Sequence, residues 1–290
     1  MHRIPRHIIL VAVGLLPLLV TASASANIVI DHTSIQLVPA YSQATMDAVA
    51  QSTFYFEHAS VGSNIVDGLD RLHTSNPGLY QLTTSGVSSP PGTLLAGTVY
   101  EYARGNPDWT DKVADFASRI NAGGIATTFA LNKFCWIDEN AAWTVYRDSM
   151  LTLEAAHTGT NFVYMTMPLN TGSGADNVLR NQFNTALRTW AATNNKTLFD
   201  IADIETYGAT GQATTFPHDG TEYLRLSTDW ASDEGHLNAA GQDRVALGFY
   251  ALAAETAAIP EPSTYAIVLG LGTFAIVLWR RRGTSSPQSR

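Results

Sequence analysis

A serine, an aspartate and a histidine are the residues whose types and spacing in this chain could do chemistry. Ser60 stands in the run Phe56-Glu57-His58-Ala59-Ser60-Val61-Gly62, where a stretch rich in Phe and Tyr passes into a helical pattern. A hydroxyl at such a turn sits near the positive end of a helix dipole, with backbone N–H groups beside it. Gly62 permits close backbone approach there. A hydroxyl needs a base before it can attack, and imidazole is the usual one near neutral pH. By itself Ser60 also reads as a helix N-cap, the commoner use of serine at such a position.

The second group is remote in sequence. Asp233-Glu234-Gly235-His236 places a carboxylate three residues before a histidine, just ahead of the last helical stretch. One turn brings positions i and i+3 to the same side. Asp233 can then hold one ring nitrogen of His236 and leave the other free to take a proton from a serine. Alone, this run also reads as a polar loop before a helix capped by Asn238.

The elements that must bring the two groups together are legible in outline. Ser52–Phe56 reads as a strand, and Ile65, Leu69 and Leu72 mark a helix after Ser60. Residues 27–50 read as a polar lead-in, and residues 74–98, with Asn76-Pro77-Gly78 and Pro90-Pro91-Gly92, as a long loop. Trp109–Ile120 is amphipathic, with Val113, Phe116 and Ile120 on one face. Strands at Ala126–Phe134, Asn161–Met167 and Thr197–Ile204 then alternate with helices at Ala141–Ala156, Val178–Ala192 and Ala239–Ala257. This alternation predicts an α/β fold, a mostly parallel sheet with helices on both faces. Ligands bind such sheets at the carboxyl ends of the strands. Ser60, Asn132-Lys133, Pro168 and Asp200 are all expected there.

Taken together, residues 52–250 resemble the SGNH/GDSL hydrolases. The nucleophile block corresponds to Phe56-Glu57-His58-Ala59-Ser60-Val61-Gly62 in its His-x-Ser-Val-Gly form, and the closing block to Asp233-x-x-His236-Leu237-Asn238-x-x-Gly241. The resemblance implies a flavodoxin-like three-layer fold and ester hydrolysis through an acyl-enzyme. It also implies an oxyanion hole made by the N–H of Ser60, a glycine N–H and an asparagine side chain. The glycine maps to Gly105 in Arg104-Gly105-Asn106-Pro107. The family's Gly-x-Asn-Asp block is absent, and Leu131-Asn132-Lys133-Phe134-Cys135-Trp136-Ile137-Asp138 stands in its place. Asn132 or Asn106 would supply the missing donor, or Lys133 a charged one. Losing one such donor typically costs about 10²–10³ in rate. The competing reading is therefore a non-catalytic matrix or glycan-binding protein on the same scaffold.

The two ends carry export signals. Arg3 and Arg6, the apolar run Ile8 to Val20, and Ala24-Ser25-Ala26 have the order of a secretory signal peptide cleaved by signal peptidase after Ala26. At the other end Pro260-Glu261-Pro262 precedes the apolar stretch Tyr265 to Trp279 and the cluster Arg280-Arg281-Arg282. Fifteen apolar residues span roughly 23 Å, short of the ~30 Å hydrocarbon core. The positive-inside rule leaves those arginines cytoplasmic and the body outside. Residues 260–282 resemble a PEP-CTERM sorting signal. That resemblance implies an exosortase as partner, an inner-membrane-held stage and final delivery to the cell surface or medium, in an extracellular polysaccharide or biofilm setting. Residues 283–290 are left as a short polar cytoplasmic tail.

Between the ends, residues 27–259 hold 24 acidic against 11 basic side chains, a net charge of −13. Such a body repels nucleic acid and anionic lipid, which leaves neutral glycans and small esters as substrates. The lone Cys135 excludes an intramolecular disulfide, and its apolar surroundings, Phe129 to Ile137, predict buried packing. His58 reads as a neighbour that shapes the site or simply packs beside it, and His73, His157 and His218 as solvated. With no HExxH run or paired cysteines, neither metal nor cofactor is expected.

Overall fold

Phe54 and Phe56 of strand β2 (Thr53–His58) pack on one side of a sheet and Tyr55 on the other, so the strand is buried on both faces. That is the pattern of a parallel sheet covered by helices. The structure, a computed structural model, describes residues 27–123 and 126–258. The strands are β1 (Val29–Ile30), β2, β3 (Thr83–Gly86), β4 (Thr98–Ala103), β5 (Phe129–Asn132), β6 (Asn161–Met165) and β7 (Leu198–Phe199). All pair in parallel, in the order β1-β7-β6-β5-β2-β4-β3.

One apolar cluster packs Ile65 and Leu69 of α3 (Val61–Ser75) with Val245, Phe249 and Leu252 of α8 (Ala239–Ala258), beside α1 (His32–Leu37) and α2 (Gln43–Val49). The opposite cluster holds Phe116 of α4 (Trp109–Gly123), Tyr146 and Met150 of α5 (Trp143–Ala156), and Phe183 and Leu187 of α6 (Ala175–Thr193). The architecture is therefore the expected three-layer α/β class. Taken in chain order, β2, β4, β5, β6 and β7 lie side by side as second, first, third, fourth and fifth, the flavodoxin-like order. The connections reverse direction between β2 and β5, and a ligand crevice forms at such a switch point. Ser60 stands at its rim.

Several elements differ from expectation. The lead-in at 27–50 folds into β1, α1, a 3₁₀ turn and α2, because Asp31 and Ser42 cap the two helices with their side chains. The supposed loop at 74–98 contains β3, an edge strand whose residues are at most half-buried and so lack an apolar signature. Thr197–Ile204 is strand only at Leu198–Phe199. Asp200 then caps α7 (Ile201–Thr206) through the N–H of Asp203 and takes two bonds from Arg188, at 2.5 and 2.7 Å. It stands at the carboxyl end of β7, as expected, with a structural role there. An unforeseen antiparallel hairpin joins β8 (Thr215–His218) to β9 (Thr221–Leu224) through Asp219-Gly220, both at positive φ. That dipeptide was the available signal.

Among the described residues no helix is long and apolar enough to cross a membrane. The expected signal peptide, and the sorting tail from residue 259 on, lie outside the described residues.

Candidate active site

The chain leaves β2 and enters α3 through Ala59 and Ser60, and Ser60 takes φ 51° and ψ −109°. A side chain in such a backbone region costs about 1–3 kcal/mol. The turn is closed by Gly62 N–H on the Ala59 carbonyl at 3.0 Å and Ser63 N–H on the Ser60 carbonyl at 2.8 Å. Ser60 occupies the cap position, yet its hydroxyl makes no capping bond. It lies instead 2.6 Å from Nε2 of His236. The cap reading of this serine therefore fails on its own geometry.

Gly62 has no room for a side chain: a Cβ there would lie 2.2 Å from the Cβ of His58. The His58 ring is thus seated against the first turn of α3. It is buried, stacks on Phe56, and bonds Glu101 through Nε2 at 2.8 Å. Burial holds its pKa below the ordinary histidine value despite that carboxylate.

His236 is presented by the loop before α8. Nδ1 lies 2.9 and 3.0 Å from the two oxygens of Asp233. Oδ1 of Asp233 also accepts the backbone N–H groups of Gly235, at 2.9 Å, and His236, at 2.8 Å. These bonds, Gly235's first, hold the Asp233 carboxyl below the usual carboxylate value. An ionised carboxylate only accepts, so Nδ1 carries the ring hydrogen and Nε2 offers its lone pair to the Ser60 hydroxyl.

The loop itself is clamped. Glu234 accepts Thr171 N–H at its carbonyl and the Asn170 amide at Oε1, and Leu237 N–H donates to Asn64 of α3. A Cβ on Gly235 would lie 2.3 Å from Nε1 of Trp136, so the indole fills the space beneath the loop. Asn64, Trp136 and Asn170 carry no sequence signal of this role. The three contacts join segments far apart in the chain.

The expected oxyanion donors flank the nucleophile's strand. Gly105 follows β4, at φ +75°, and stands level with Ser60, because Ala103 pairs with His58 and Arg104 N–H donates to the His58 carbonyl. Asn132 ends β5 and pairs with Glu57, so its backbone lies behind Ser60 and only its side-chain amide can serve the crevice. Its Oδ1 accepts Nη1 of Arg104 at 2.6 Å. Of the alternatives, Lys133 is engaged elsewhere, whereas Asn106, like Asn132, is held through its amide oxygen. Lys133 is wholly buried, its Nζ donates to the Phe134 carbonyl, and burial pushes its pKa down to about 8. Its amine is buried and held by a backbone carbonyl. Asn106 accepts Lys112 Nζ at 3.2 Å, and that amine also forms a buried pair with Asp138 at 2.6 Å. Between the loops after β4 and β5 opens a cavity of about 350 Å³, lined by Asn106, Trp109, Ile137, Asp138 and Asn140.

Other candidate groups are occupied as well. Cys135 is buried, as expected from its surroundings. Asp31, His32 and Asp203 lie close enough to share a metal ion. Yet Asp31 caps α1, while His32 donates its backbone N–H to Asp203 at 2.8 Å and stacks on Tyr207.

Residues 258–282 match the PEP-CTERM protein-sorting motif. The match implies exosortase processing and export with a membrane-held tail, and it covers the expected 260–282. A search of curated protein sequences finds no match. Similar solved structures include a proposed acylhydrolase from Bacteroides fragilis, 13% identical over 71% of this chain and 88% of that one, with a TM-score of 0.45. Another is a GDSL-like lipase from Bacteroides thetaiotaomicron, 10% identical over 79% of this chain and 98% of that one, with a TM-score of 0.43. Likenesses at this level lend no weight to any chemistry. That rests on the residues of this chain.

Proposed function

We propose that the chain is an exported serine esterase of the SGNH type, acting on short acyl esters such as those of an acylated extracellular polysaccharide. The observation that carries this reading is the line Ser60 Oγ to His236 Nε2 at 2.6 Å and His236 Nδ1 to Asp233 at 2.9 Å. In it, a hydroxyl freed from capping meets a base whose tautomer is fixed by an ionised partner. Nε2 takes the hydroxyl proton as Oγ attacks the ester carbonyl carbon. The tetrahedral oxyanion forms against the N–H groups of Ser60 and Gly105 and the amide of Asn132. His236 returns the proton to the leaving alkoxide, and an alcohol departs. Water then loses a proton to Nε2 and attacks the acyl-enzyme, and the acid leaves as Ser60 is reprotonated.

The net charge of −13 on residues 27–259 disfavours anionic polymers. Signal peptidase removes the leader in this reading, and neither metal nor cofactor takes part.

A fluorophosphonate probe on the full-length chain tests the assignment. It should attach to Ser60, and Ser60→Ala should abolish both labelling and turnover of p-nitrophenyl acetate. Labelling of folded Ser60→Ala protein overturns the nucleophile.

A further inference from the structure

The chain's departure from the family's asparagine block puts the third oxyanion donor on Asn132, whose amide must then be oriented. Arg104 is placed to do so. It leaves the carboxyl end of β4, yet its side chain is only 1% exposed and runs inward across the ends of β2 and β5. Nη1 donates to Oε1 of Glu57 at 3.0 Å and to Oδ1 of Asn132 at 2.6 Å, and Nη2 donates to the Lys133 carbonyl at 2.5 Å. One guanidinium thus spans the three adjacent strand ends β4, β2 and β5, the floor of the crevice at the switch point.

The chemistry of the contact fixes a direction. A guanidinium has five donors and no acceptor, so only the oxygen of the Asn132 amide can face it. The NH₂ of Asn132 is then turned the other way, where it makes no bond to any described residue. A free asparagine amide can flip by half a turn and present either end. This one cannot flip without setting NH₂ against guanidinium inside the protein. Glu57 keeps the guanidinium in place from below, and Tyr55 O–H in turn donates to Glu57 at 3.3 Å.

We infer that Arg104 is a positioning residue for ester hydrolysis: it holds the amide of Asn132 with nitrogen toward the crevice, so that this nitrogen donates to the oxyanion. The inference rests on the proposed hydrolase reading and adds a residue to it. Arg104 touches no substrate. It acts through Asn132, and lysine is no substitute, because one ammonium cannot hold Glu57, Asn132 and the Lys133 carbonyl in one plane.

A double-mutant cycle on the full-length chain tests it, read as p-nitrophenyl acetate turnover with circular dichroism as the fold check. Asn132→Ala should lower kcat by about 10²–10³, the cost of one lost oxyanion donor. Arg104→Lys should lower kcat by about 10²-fold, the cost of misplacing a group by about 1 Å, with KM within about twofold. The double variant should be no slower than Asn132→Ala alone, because the arginine has nothing left to orient. A merely structural arginine would instead multiply its loss onto that of Asn132→Ala, and that outcome overturns the inference. Full kcat in Arg104→Lys overturns it too. Full kcat in Asn132→Ala overturns it while leaving the Ser60 assignment standing, whereas turnover by Ser60→Ala removes the hydrolase reading itself. If Arg104→Lys does not fold, Glu57→Gln with Arg104→Met removes both buried charges together, and the same cycle with Asn132→Ala applies.

Discussion

At the scale of single residues, the site combines one strained position with one exposed one. Ser60 holds a backbone conformation that glycine adopts freely. Ser60→Gly and Ser60→Ala should be equally inactive but unequally stable, since only glycine relieves the turn. The glycine variant should exceed the alanine variant by about 1 kcal/mol or more in chemical denaturation. Equal midpoints would mean that the turn stores no strain. Asp233 presents the opposite case, with a side chain 59% exposed beside a histidine 37% exposed. Water can partly replace it, so its loss should cost less than the ~10⁴ of a fully buried triad carboxylate. Asp233→Asn keeps the shape but removes the acceptor that fixes the hydrogen on Nδ1. We expect about a 10²-fold loss of kcat, near the low end of general-base contributions, with unfolding unchanged. An unaltered rate would remove Asp233 from the mechanism.

At the scale of elements, the two halves of the site are brought together by packing that does not follow a periodic pattern. The loop carrying His236 rests on Trp136, and Gly235 is the contact point. Gly235→Ala puts a methyl about where the indole nitrogen stands, and the loop must rise to admit it. A shift near 1 Å at His236 should lower kcat by about 10²-fold, while the melting temperature, taken by calorimetry, moves by only a few degrees. Retained kcat would show that the loop tolerates displacement. This contact also marks the limit of what the sequence discloses. The strands β2, β5 and β6, the helices α3 to α6 and α8, and the Ser60 and Asp233-x-x-His236 blocks announce themselves through period and spacing. The edge strands β1 and β3 do not, because two residues, or a Thr-Thr-Ser-Gly run without a large apolar side chain, carry no pattern. Nor does the path of Arg104 under the sheet ends, since a loop arginine followed by Gly-Asn-Pro looks solvated. Its burial depends on Glu57 and Asn132 from two other strands, and only the 2-1-3 strand order brings those together.

At the scale of the whole molecule, the body and the tail make separable demands. Described residues 27–123 and 126–258 supply both apolar layers and every group of the candidate site, and α8 ends within them. Among them no helix is long and apolar enough to cross a bilayer. The sorting motif matched at 258–282 implies a membrane-held tail, and its fifteen-residue apolar run is too short to span the hydrocarbon core unaided. We expect the flanking arginines to make up the difference, by snorkelling to the cytoplasmic face and by opposing translocation. A chain stopped after Ile259 should therefore be soluble outside the inner membrane, and it should turn over p-nitrophenyl acetate at the rate of the full chain. Replacing Arg280, Arg281 and Arg282 by glutamine should weaken retention and leave kcat unchanged. Cell fractionation with mass measurement of the mature C-terminus reads both outcomes. The full-length chain should first sediment with membranes and then appear cut near Pro260. Soluble full-length protein with Arg290 still attached would remove the sorting reading and leave the triad untouched, since no residue of the triad lies beyond His236.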